Sequence, residues 1–210
     1  MRIGVIGSGR IGTAVARQFV RAGHEVAIAN SRGPESLGGL VAELGSAARA
    51  ASVEEAAQFG ELVVVAIPLG RIDELPPQPF AGKIVIDANN YYPERDGEIA
   101  ELDRGETTSS ELLARHLGRA RVVKAFNTMN FRPLGSDGRP SAPRAERLAL
   151  FVAGDDADAK RRVMELIEEI GFAALDTGSL ADGGRRQQPG SPIYTTQELT
   201  GAEARAKLAD

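Results

Sequence analysis

An α/β fold wound in both directions about a mostly parallel sheet is the architecture this sequence predicts, on three observations. Short apolar runs alternate with stretches of helical period along most of the chain. The first run leads straight into Gly7-Ser8-Gly9-Arg10-Ile11-Gly12, a glycine spacing that turns a strand tightly into a helix. A second apolar run then follows within about 30 residues, the length of a parallel strand–helix–strand crossover.

Taken in order, residues 2–6 read as a strand, and residues 11–22 as a helix with Ile11, Val15, Phe19 and Val20 along one side. Gly23-His24 ends that helix, and residues 25–29 form the second strand. Residues 34–44 read as a helix, 47–51 as a weak third strand, 53–58 as a short helix, and 61–67 as a strongly buried strand closed by Pro68. The next strand spans 83–88, a helix spans 109–117, and a sixth strand spans 120–126. Strands alternating with helices in this way give a doubly wound, Rossmann-type sheet. Residues 128–147, with Pro133, Gly135, Gly138, Pro140 and Pro143, read as a long irregular loop and a candidate lid. Beyond it, a strand at 148–153, an amphipathic helix at 156–170 and a strand at 172–176 extend the sheet by one more αβ unit. Residues 1–180 thus form a nucleotide-binding domain with its extension. Residues 181–210 form a polar, punctuated tail with a terminal helix expected from Thr196, suited to closing the site or joining two copies.

Composition narrows the chemistry. With 42% hydrophobic and 26% charged residues, the chain can bury a substantial core, and its net charge of -4 supplies none of the basic surface that nucleic acid or an anionic membrane attracts. The absence of cysteine removes disulfides, thiolate-held clusters and thiol nucleophiles, so redox chemistry requires a borrowed cofactor. No apolar run approaches the ~18 residues of a membrane span, and the start of the chain is too short an apolar run for a signal peptide. The expectation is a cytoplasmic protein whose partners are small-molecule coenzymes, with no metal.

In the glycine turn, Gly7 permits the bend, Gly9 lets the backbone approach a pyrophosphate, and Gly12 lets helix and strand pack closely. Ser8, Arg10 and Ile11 complete the turn, and the N–H groups at the helix start face the anion. The second strand then ends in Asn30-Ser31-Arg32, where an NAD site would place a carboxylate against the ribose 2′-hydroxyl. A neutral amide, a hydroxyl and a guanidinium suit a 2′-phosphate instead, which points to NADP(H). Arg10 is a candidate second cation.

Ligands of such sheets lie beyond the carboxyl ends of the strands. Ala66-Ile67-Pro68 after the fourth strand, Asp87-Ala88-Asn89 after the fifth, and Ala125, Asn127 and Thr128 after the sixth are therefore further candidate cofactor contacts. The stretch from Asp87 to Tyr92 is rich in amides and phenols, at a depth suited to the nicotinamide. Lys124 and Tyr91 are the candidate proton donors. His24, in a helix-to-strand turn at the opposite end of the sheet, and His116, near a helix C-terminus, are not catalytic candidates. No metal-ligand spacing and no G-x-S-x-G nucleophile elbow occur. A dinucleotide site with few acid–base groups favours hydride passage to a flat coenzyme ring, where the coenzymes carry the chemistry.

Gly7–Gly12, Ala29-Asn-Ser-Arg32, Ala66-Ile-Pro68, Asp87-Ala-Asn89, Lys124-Ala-Phe-Asn-Thr128 and Asp176-Thr-Gly-Ser-Leu180 together resemble the F420-dependent NADP oxidoreductases. They are also similar to the cytosolic reductase domain of six-transmembrane metalloreductases. The resemblance implies NADP(H) at the glycine turn with Ser31 and Arg32, and F420 or a flavin (FMN or FAD) stacked on the nicotinamide. It further implies a homodimer whose C-terminal segments help close the site. Phe126-Asn-Thr-Met129 departs from the His-x-Ile-Pro-like stretch of the deazaflavin reductases. Two other functions stand beside hydride transfer to a flavin or deazaflavin. One is direct reduction of a small carbonyl or imine, against which stands the short stretch of about 30 residues after Leu180. The other is redox-inert NADP(H) sensing through the loop and tail.

Overall fold

Runs of β-branched residues such as Val63–Val65 and Ile84–Ile86 are buried throughout, as strands covered on both faces must be. In the computed structural model, which describes residues 1–194 and 198–209, the strands are β1 (Arg2–Ile6), β2 (Glu25–Ala29), β3 (Ala48–Ala50), β4 (Leu62–Val65), β5 (Ile84–Asp87), β6 (Arg121–Lys124), β7 (Ala149–Gly154) and β8 (Ala173–Gly178). They form one eight-stranded sheet in the order β3-β2-β1-β4-β5-β6-β7-β8. The order reverses between β1 and β4, the switch point where such sheets open a crevice. Every pairing is parallel except β6 with β7, so the predicted mostly parallel sheet and its C-terminal αβ extension are both present.

The helices are α1 (Arg10–Arg21), α2 (Gly38–Leu44), α3 (Val53–Phe59), α4 (Pro93–Asp96), α5 (Ala100–Asp103), α6 (Ser109–Leu117), α7 (Phe131–Ser136), α8 (Ala157–Glu169), α9 (Asp182–Arg186) and α10 (Gly201–Ala209). One core packs Val15 and Phe19 of α1 and Val163, Leu166 and Ile167 of α8 on one face of the sheet. A second packs Ala56 and Ala57 of α3 and Leu112 and Leu113 of α6 on the other. Side-chain caps start α3 (Ser52 with Glu55), α6 (Thr108 with Glu111) and α8 (Asp156). α1 starts at Gly9 with no side-chain cap, which leaves its first N–H groups open to the crevice.

Three expectations need correction. The helix read over 34–44 is a 3₁₀ turn at Pro34–Leu37 followed by α2. The short α4 and α5 were not foreseen, and the expected start of the terminal helix at Thr196 lies outside the described residues. Most consequentially, residues 128–147 are not one long irregular loop. They contain α7, whose Leu134 is fully buried, with Gln18 donating to Leu134 O at 2.9 Å and Arg21 to Gly135 O at 2.8 Å. Arg147 then clamps the rest through Pro140 O and Ala142 O. Pro133 misled the reading because it sits in the first helical turn, where its missing N–H would have no partner inside the helix. Among the described residues no helix is long and apolar enough to cross a membrane.

Candidate functional site

The glycine turn is built from steric necessity. Gly7 has φ 112°, and a Cβ there would lie 2.2 Å from Ala66 O; one on Gly12 would lie 1.8 Å from Gly7 O. Gly9 differs, since a Cβ there would meet no atom within 4 Å and would project into open space. Gly7 and Gly12 therefore serve the fold, whereas Gly9 keeps clear the place where a ligand's backbone contacts would lie.

Two cavities meet at Gly9, Ala66, Ile67 and Pro68. The first, of about 400 Å³, runs over Gly7 and Ser8 to Asn30, Ser31 and Arg32. Asn30 ties the turn after β2 to the glycine turn: its Nδ2 donates to Ser8 Oγ at 3.0 Å, and its Oδ1 accepts from Arg32 N at 2.8 Å. Arg32 is exposed at the cavity mouth. Arg71, in the loop after β4, lines the same cavity and donates to Ser31 Oγ at 3.3 Å. Glu74 holds Arg71 by two bonds of 2.7 and 2.6 Å, and that pairing keeps the Glu74 carboxyl below its usual range. The second cation at this end is thus Arg71. Arg10 turns the other way, over the Phe131 ring at 5.1 Å, and lines the second cavity.

The second cavity, of about 500 Å³, collects Ile11, Ala88, Asn89, Asn127, Met129 and Tyr194 among others. Asn89 is 2% exposed and held from three sides. Its N–H donates to Asp87 Oδ1 at 2.9 Å, its carbonyl accepts from Lys124 Nζ at 3.1 Å, and its Oδ1 accepts from Ile67 N at 2.9 Å. Its Nδ2 has no partner among the described residues. A buried donor without a partner at a cavity wall costs free energy until a ligand supplies an acceptor.

Asp87 and Lys124 do not reach the cavity. Both side chains are fully buried and paired at 3.4 Å; Ser110 Oγ also donates to Asp87, at 2.5 Å, and Lys124 to Ser109 Oγ at 3.1 Å. They face each other because Asp87 and Lys124 are register partners on adjacent strands, on the side of the sheet that α6 covers. Lys124 therefore lies as a support under Asn89, and Asp87 lines neither cavity. Tyr91 is likewise diverted: its OH donates to Asp103 Oδ1 at 2.8 Å and accepts from Ile99 N at 2.9 Å, which ties down the α4–α5 segment. Ala125 is fully buried, and Thr128 is partly exposed but does not line the cavity. Between them, Phe126 adopts φ 68° and stacks edge-on against Phe19 at 6.1 Å, a left-handed bend that turns Asn127 toward the crevice.

Sequence reasoning missed Arg71, Arg95, Phe131 and Tyr194. Arg71 was open to discovery as a cation in a strand-end loop. Tyr194 carried no signal, since the tail folds back over more than a hundred residues to bring its OH against the OH of Tyr92. His24 lies at the opposite end, buried beside Glu169 at 3.5 Å, and burial holds its pKa below the usual value. His116 contacts Leu75 O at 2.8 Å.

Residues 2–91 match the family described as NADP oxidoreductase, coenzyme F420-dependent. A hypothetical protein, SMa0349, of Sinorhizobium meliloti has a solved structure that superposes with a TM-score of 0.81 at 35% identity over 95% of both chains. A protein of Arthrobacter sp. fb24 described as an F420-dependent NADP reductase superposes with a TM-score of 0.73 at 29% identity over 88% of both. Metalloreductase STEAP3 of Rattus norvegicus is 30% identical over 182 residues, which is 86% of this chain. The chain spans about a third of the length of the curated relatives it matches.

Proposed function

We propose that the chain, which over residues 2–91 is similar to the coenzyme F420-dependent NADP oxidoreductases, passes hydride between NADP(H) and a flat flavin or deazaflavin ring. The observation that carries this reading is the junction of two cavities at Gly9 and Pro68. The first has the donors of an NADP site: the uncapped start of α1, with Ser31, Arg32 and Arg71 for the 2′-phosphate; the partnerless Asn89 Nδ2 belongs to the second. The second has no carboxylate in its lining and an open shape beside Pro68 and Phe131. When bound, the reduced nicotinamide would supply the hydride. The chain's part is to hold two rings in register, to exclude water, and to keep Asn89 and Asn127 oriented.

The tail, residues 181–210, closes the site in this reading, through Tyr194 and through Gln187, whose carbonyl accepts from Asn127 Nδ2 at 2.8 Å. We place the reaction in the cytoplasm and in a homodimer. Among the described residues Met1 is the only large hydrophobic side chain left exposed, so such a dimer would be held by polar contacts. Direct reduction of a small carbonyl is the second reading, favoured by the two phenols that meet at the second cavity. A nucleotide sensor working through residues 128–147 loses its moving part, since α7 is anchored on α1. The test is NADPH oxidation by the purified protein with F420, FMN or a small ketone. Turnover with F420 or FMN supports the first reading, turnover with the ketone alone the second, and nucleotide binding without turnover refutes both.

A further inference from the structure

Two-electron reduction by NADPH consumes a proton as well as a hydride, and neither residue singled out from the sequence to provide it reaches the cavity. A different pair does. Tyr92 and Tyr194 both line the second cavity, and their hydroxyls are hydrogen-bonded to each other.

A chain of amides leads up to that bond. Asn127 Nδ2 donates to Gln187 O at 2.8 Å and to Asn90 Oδ1 at 3.0 Å. Asn90 Nδ2 donates to Asn127 O at 2.9 Å and to Tyr194 OH at 3.4 Å. Two backbone carbonyls, which can only accept, fix both amides in one orientation. The Tyr194 oxygen therefore accepts from Asn90, and either phenol can donate in the bond between them; Tyr92 is the one acceptor within reach of the Tyr194 proton among the described residues. With Tyr194 as the donor, the Tyr92 hydroxyl, with no other partner among the described residues, presents its proton to a group in the cavity. The Arg95 guanidinium lies 4.9 Å from the centre of the Tyr92 ring, where it would stabilise negative charge on that phenol. Burial, ahead of the bond to Tyr92, pushes the Tyr194 phenol above its usual value, so it stays a donor.

We propose that Tyr92 is the proton donor for the hydride acceptor, with Tyr194 as the positioning residue that holds and recharges it. The proposal rests on the hydride-transfer reading above. In the balanced step, the acceptor ring gains the hydride of the reduced nicotinamide's C4–H bond at position 5 (N5 of a flavin, C5 of a deazaflavin) and the Tyr92 proton at N1, the other end of the same conjugated system. NADPH leaves oxidised, the acceptor is reduced, the Tyr194 proton passes to Tyr92, and solvent restores Tyr194.

Two measurements on the full chain test this. The first follows phenolate absorbance against pH with NADP⁺ or NADPH bound, in a protein with 3 tyrosines. The positive ring of NADP⁺ should lower the midpoint of one phenol by about one pH unit relative to NADPH. Tyr92→Phe should abolish that difference. The second is turnover with FMN or a 5-deazaflavin. Tyr92→Phe should reduce the rate about 100-fold with NADPH affinity unchanged. Tyr194→Phe should reduce it less and change the solvent deuterium isotope effect. No NADP⁺-dependent midpoint shift in the wild type, or a Tyr92→Phe rate within threefold of a working wild type, overturns the proposal. A wild type inactive with every acceptor refutes the functional reading, and the midpoint then decides the phenol's placement by itself.

Discussion

Lys124 and Asp87 pair at 3.4 Å with both side chains fully buried, directly beneath Asn89 in the wall of the second cavity. Removing one member of such a pair leaves an uncompensated charge in the core, at a cost of about 3–5 kcal/mol. Lys124→Met is expected to lower unfolding free energy by that order in a denaturant titration. Adding Asp87→Leu should recover part of the loss. A Lys124→Met protein of undiminished stability that binds NADPH but fails to turn over would reverse this assignment and make the lysine a reactive group.

At the other end of the crevice, the proposed site would give specificity for the 2′-phosphate to Arg32 and Arg71, which line one cavity with Ser31. A charge-assisted hydrogen bond is worth about 1.5–3 kcal/mol, or about 10- to 150-fold in affinity. Calorimetric titration of Arg32→Ala should show NADP weakened by that order and NAD nearly unchanged. Because Arg71 is shared with Glu74, Arg71→Ala should lose less, and Glu74→Gln should tighten NADP. These effects should shrink at high salt, since both guanidinium groups are exposed. Equal losses for both nucleotides on Arg32→Ala would place the phosphate elsewhere.

A pH effect on stability should arise far from the crevice, at His24. Burial lowers its pKa, opposed by Glu169 and aided by the N-terminal amine 3.4 Å away. The unfolded chain therefore binds a proton at higher pH than the folded one does. His24 contributes stability that is complete above about pH 6.5, the unfolded value, and is lost as pH falls through the lower folded value. His24→Gln should flatten that limb of the stability–pH curve while leaving nucleotide affinity unchanged. An unaltered limb in thermal unfolding between pH 7 and pH 5 would mean that another group governs it.

The strands were legible because parallel strands buried on both faces leave continuous apolar runs, and the glycine turn because Gly7 and Gly12 are sterically compelled. Lys124 was misplaced for want of one step. Val122 and Val85 belong to the core under α6, and a period of two puts Lys124 and Asp87 on that same side. The alternation was present in the sequence, but the sense of each face was set only once α6 had docked. α7 was hidden because proline and glycine signal a loop unless they fall where a helix tolerates them. Tyr194 could not be placed at all, since only the path of the tail brings it to Tyr92.

The bend at Phe126 has a mechanical consequence. The residue that swings Asn127 into one cavity is the same one whose ring is wedged against Phe19, in the helix that begins at Gly9 beside the other. Pocket and helix share a single hinge pin. Remodelling the chain for a larger hydride acceptor by altering this corner would also loosen its grip on the dinucleotide, so new substrates are better sought in the tail, away from Gln187 and Tyr194.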